Sequence, residues 1–84
     1  MLEHLDNADK ECWETPNKYA LAKESANGVE YYSIFLLEPI LMMKLCDDFD
    51  YALRLSKKMI ECGVRVFNDF KSLMDWYSKQ KTSE

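Results

Sequence analysis

Between Val29 and Cys46 the chain reads VEYYSIFLLEPILMMKLC, with 13 apolar residues in 18. Charges at Glu30, Glu38 and Lys44, and Pro39 in the middle, argue against a membrane span. Such a span wants about 20 predominantly apolar residues. The stretch therefore reads as the core of a folded domain, around which the rest must pack.

The pattern elsewhere predicts helices. Thr15-Pro16 is a helix start, because Thr can cap and Pro is favoured at the first helical position. Residues 16–26 (PNKYALAKESA) contain helix formers and no β-branched residue. Asn27-Gly28 then ends that helix. The competing reading is a β-hairpin, since Asn-Gly between two runs is a strong hairpin signal and VEYYSIF is β-prone. The Ala/Lys/Glu-rich first run is poor strand material, so helix is preferred. Val29–Leu37 does not resolve by period, being apolar on every face of either element. Glu38-Pro39 resets the chain, and Pro39 opens a short apolar helix to Cys46.

Asp47 or Asp48 caps a clearer helix, Phe49–Cys62, closed by Gly63. Its charged residues Asp50, Arg54, Lys57, Lys58 and Glu61 share an arc of about 100°, and the apolar arc spans about 200°. A helix lying on one small core uses a stripe only slightly over 100° wide, so this helix wants contacts on two sides. A last helix runs from Val64 to about Lys79, with Val66, Phe67, Phe70, Leu73, Met74 and Tyr77 in one stripe and Phe70 at its centre. Trp76 falls off that stripe by about 60°.

The fold class expected is all-α, a small bundle of three to four helices. The alternative is α+β, with an Asn27-Gly28 hairpin packed on two or three helices. Eighty-four residues make one domain, and 48% hydrophobic residues with 11 aromatics favour a folded core over disorder. Only two Gly and two Pro leave few places to turn. The division expected is an acidic, mobile lead at 1–14, a helical domain at 15–80 and a frayed tail at 81–84.

Charge narrows the function classes. The net −4 is concentrated in residues 1–14, where Glu3, Asp6, Asp9, Glu11 and Glu14 oppose Lys10 alone. No basic patch points to nucleic acid. The three cysteines, Cys12, Cys46 and Cys62, form no C-x-x-C pair, and His4 is the one histidine. That excludes a four-ligand zinc site, and an odd cysteine number fits free thiols in a reducing cytoplasm.

Four candidate sites resolve toward structural roles. Asp47-Asp48-Phe49-Asp50 lacks the central Gly and distal Glu of a calcium loop and reads as a cap. Glu30 and Glu38 could form a carboxylate pair but have no sequence-near base or metal. The helices around Gly63 resemble helix-turn-helix only in outline, because Met59 and Asp69 stand where that motif wants a small and an apolar residue. Met42, Met43, Met59 and Met74 suit core filling as well as an adaptable groove.

The function expected is a small non-enzymatic interaction module (adaptor, inhibitor or accessory regulator), without cofactor or metal. It would act through an apolar and aromatic helical surface at Tyr51, Leu55, Met59 and Trp76, as a homodimer or on a protein partner, away from membranes. The alternative is an acidic nucleic-acid mimic that inhibits a basic protein, with carboxylates from residues 3–14, 47–50 and 69–75 along one face.

Overall fold

The computed structural model describes residues 5–82 and is α+β, 45% helical and 29% strand. A 3-10 turn (Asn7–Asp9) and helix α1 (Glu11–Glu14) lead through a second 3-10 turn (Pro16–Lys18) into strands β1 (Tyr19–Ala26) and β2 (Val29–Leu36). Strand β3 (Met42–Lys44), helix α2 (Phe49–Glu61), strand β4 (Arg65–Phe67) and helix α3 (Phe70–Thr82) follow. The strand order is β3-β2-β1-β4, with β4 parallel to β1 and the other pairs antiparallel.

The all-α bundle is therefore corrected to a mixed four-stranded sheet covered by helices. The hairpin signal prevails over Ala/Lys/Glu-rich composition. Asn27 and Gly28 take φ of 54° and 80°, and Ala26 pairs with Val29. Two central residues at positive φ match the right-handed strand twist, which is what favours Asn-Gly there. The helix expected at 16–26 is strand β1, because Ala20, Leu21 and Ala22 are wholly buried mid-sheet and their burial outweighs helix propensity.

Thr15 does not start a helix. Its hydroxyl donates to the Glu11 carbonyl at 2.7 Å, at the end of α1. The short helix expected at Pro39–Cys46 is a bend followed by β3, which pairs Lys44 with Ile34, Met43 with Phe35 and Met42 with Leu36. The last helix begins later than expected, since Arg65–Phe67 pair with Ala20–Ala22. Asp69 then accepts from the Ser72 amide at 2.8 Å at the helix start. Helix α2 matches its expected span, with the Asp50 amide donating to Asp48 Oδ1 at 3.0 Å and Gly63 at φ 99° beyond its end.

Alternation along the central strands divides the interior in two. Tyr19, Leu21 and Ile34 point to one face and pack with Leu55, Met59, Cys12 and Val64. Ala20, Ala22, Phe35 and Leu37 point to the other and pack with Leu73 of α3. The lead expected to be mobile contributes to the first face from Leu5 onward, with Cys12 only 2% exposed. The sheet and residues 5–13 together cover Tyr51, Leu55 and Met59 of the broad α2 arc, while Phe49 and Ile60 stay exposed. Residues 81–82, expected to belong to a frayed tail, form the last turn of α3. Residues 1–4 and 83–84, which the lead and tail expectations also include, lie outside the described residues. Among the described residues no helix is long and apolar enough to cross a membrane.

Candidate functional site

The four residues expected to bind a partner do not share a surface. Leu55 and Met59 are wholly buried between α2 and the sheet, so neither can meet a partner. Tyr51 is half-buried on the same face, where it joins a polar network. Its hydroxyl donates to Asp9 Oδ2 and accepts from the Asp6 amide at 3.0 Å, and Lys44 Nζ lies 2.8 Å from Asp9 Oδ1. Trp76 lies on the opposite side of the sheet with the α3 cluster.

The Asp9–Lys44–Tyr51 network fastens the N-terminal segment to β3 and α2. Burial raises the Asp9 carboxyl, but the Lys44 and Tyr51 hydrogen bonds and the Lys44 charge outweigh it and hold it below 3.8. Burial and then the Asp9 bond push the Tyr51 hydroxyl up to about 12. The Asp9 hydrogen bond holds Lys44 above 10.5 against partial burial. Burial also raises the Cys12 and Cys46 thiols, so both are protonated at neutral pH and poor nucleophiles. Asp9, Lys44 and Tyr51 are matched to one another as a fastening.

The remaining sequence candidates have local partners. Asp48 is a helix cap, and among the described residues no group of three His, Cys, Asp or Glu could hold a metal. Glu30 lies 3.6 Å from Lys23 across the hairpin and is exposed. Helix α3 packs on the sheet and not against α2 as a reading helix would. Of the four methionines, Met59 fills the core and Met42 and Met43 are about half exposed, at 50% and 48%. The acidic stretches are divided: Asp6, Asp9, Asp47 and Asp48 line one hollow with Lys44, whereas Asp69 and Asp75 belong to the α3 side.

Two surfaces that the helical reading missed remain. One is the β3 edge. Exposed Ile40 (59%) and Leu45 (81%) flank Met42 and Met43, while Phe49 lines the same hollow of about 260 Å³ as Met43 and Leu45. Phe70, 44% exposed and not the buried centre of its helix, packs on Phe35, the strand partner of Met43. Its signal in the sequence was ILMMKL, an apolar run too short and unperiodic to distinguish helix from edge strand.

The other surface lies where β1 and β4 begin and β2 ends. Trp76 borders two hollows of about 410 and 320 Å³, and Asn17 and Leu37 line both. The Arg65 guanidinium sits 4.9 Å from the centre of the Trp76 ring, and Phe67 lies 5.4 Å from it. Of the four residues expected to bind a partner, Trp76 is the one that lies on this groove, and the candidate carboxylate Glu38 lines its second hollow. No protein-family profile, curated protein or solved structure matches the chain.

Proposed function

We propose that the protein is a non-enzymatic interaction module that pairs with a second copy of itself along the β3 edge. The observation that carries this is the concentration of exposed apolar side chains, Ile40, Met42, Met43, Leu45, Phe49 and Phe70, at one open sheet edge. An edge strand presents unpaired backbone groups and is a template for strand addition. Natural edges are commonly protected by charge, but between Pro39 and Cys46 the one charge is Lys44, which Asp9 neutralises. Two-fold pairing is the commonest closed assembly of a soluble chain. Three free cysteines support a cytoplasmic setting.

Light scattering at micromolar concentration should give twice the 9.9 kDa monomer mass. Leu45→Glu places a charge at the most exposed position of the seam and should yield a folded monomer with an unchanged dichroism spectrum. A wild type that stays monomeric, or a Leu45→Glu variant that stays dimeric, overturns the pairing.

A further inference from the structure

The groove around Trp76 carries opposite charges at its two ends. Arg65 lines the larger hollow with Asn17, Leu37 and Trp76, and no carboxylate lines it. The ion pairs found among the described residues use Lys10, Lys23 and Lys44. Arg65 is instead held against the Trp76 face, an arrangement that keeps a guanidinium oriented and weakly hydrated. Glu38 lines the second hollow with Leu37, Trp76 and Tyr77, and neither Lys nor Arg lines that one. An exposed cation with no counter-ion among the described residues, an aromatic surface beside it and a carboxylate beyond form a directional set.

We propose that this groove binds the C-terminal end of a peptide. The terminal carboxylate meets Arg65, whose planar fork suits a carboxylate. An apolar last side chain lies against Trp76 and Leu37, and a basic residue before it faces Glu38. Both hollows fall at the lower end of the size range of small-ligand sites, which fits one or two residues better than a long segment. The groove is formed by the start of β1, the end of β2, β4 and α3, so it is independent of the β3 edge and does not require the dimer.

The test uses the full chain, labelled with nitrogen-15, and acetyl-Lys-Phe carrying a free carboxylate. The indole N–H signal of Trp76, assigned by its loss in Trp76→Phe, reports on the groove separately from Trp13. Titration should shift that signal saturably, and acetyl-Lys-Phe-amide should bind at least about tenfold more weakly. Arg65→Gln should show the same loss while keeping the wild-type melting temperature. Glu38→Gln should weaken acetyl-Lys-Phe but leave acetyl-Ala-Phe unchanged. Equal binding of acid and amide overturns the proposal, as does full binding by Arg65→Gln or no saturable shift at millimolar peptide. Equal affinity for 3-phenylpropionate would overturn the peptide assignment in favour of a small carboxylate. Because the readout sits across the sheet from Leu45, Leu45→Glu should bind the peptide as wild type does. A monomeric wild type would therefore remove the dimer and leave this site standing.

Discussion

The two faces of the sheet are built differently from the same pair of strands. On the α2 side, Leu21 and Ile34 project between Leu55 and Met59, and the N-terminal segment closes the remaining gap with Cys12 and the Asp9–Lys44–Tyr51 network. On the α3 side the central strand offers Ala20 and Ala22, and one helix covers them with Leu73 as its wholly buried member. Large side chains interlocked from three directions fill the interior of that face. Small ones under a single helix leave the sheet end open, and the Trp76 groove occupies that opening.

The largest test of this contrast is a matched pair of truncations. Leu55→Ala should cost about 2–5 kcal/mol, near the top of that range, because interlocked neighbours cannot collapse into the cavity. Leu73→Ala should cost about 2 kcal/mol, since α3 can settle onto the alanines. Urea melts of both variants rank the faces, and a larger loss for Leu73→Ala would reverse the ranking. Leu55→Glu should unfold the chain outright, as expected of a buried unpaired charge and not of a surface residue.

Next in size is the fastening of the N-terminal segment. Tyr51→Phe removes the hydroxyl shared by Asp9 and the Asp6 amide and should cost about 1.5 kcal/mol, the lower end for a bond to a charged group. Amide signals of residues 6–12 should move more than those of α3. A change confined to α2 would mean that the segment is held by packing alone.

The smallest effect is in pH. Asp9 is held below 3.8 in the folded chain, so its stabilisation is complete above that ordinary value and is lost as pH falls through the lower folded one. Lys44 is held above 10.5, so its share is present below that value and lost as pH rises through the higher folded one. Asp9→Asn should flatten the acid limb of a urea-midpoint profile between about pH 5 and about pH 2. An acid limb as steep as that of wild type would assign the loss to other carboxylates.

Helix α2 was legible because its signals are local: Asp48 before it, Gly63 after it, and charges confined to one arc. The hairpin was legible as a signal in Asn27-Gly28 and was outvoted by Ala20, Ala22, Lys23 and Glu24. Alanine in β1 is there to let α3 approach, a tertiary requirement that no local propensity expresses. Strand β4 was absorbed into the next helix because Val66 and Phe67 happen to extend the α3 stripe. The breadth of the α2 arc was read correctly, but what covers it lies some 40 positions earlier, as the Tyr51–Asp9 bond across 42 residues shows. Of the residues lining the candidate groove, Trp76 was the one the sequence offered for partner binding. Arg65 was not, because its meaning depends on a neighbour eleven residues on, brought close only when α3 folds back over the sheet.

The parallel pairing of β4 with β1 also orders the chain's assembly in time. The hairpin closes through two turn residues, whereas Ala20 meets Arg65 only across the hairpin, β3 and α2 together. A distant pairing of this kind bears the larger loop-closure entropy and gains nothing until it is complete. Helix α2, whose hydrogen bonds are local and whose cap is intrinsic, shortens the path that β4 must travel. Until β4 arrives, the outer edge of β1 is open and α3 has no complete floor, so the Trp76 groove is expected to be the last part of the molecule to take shape.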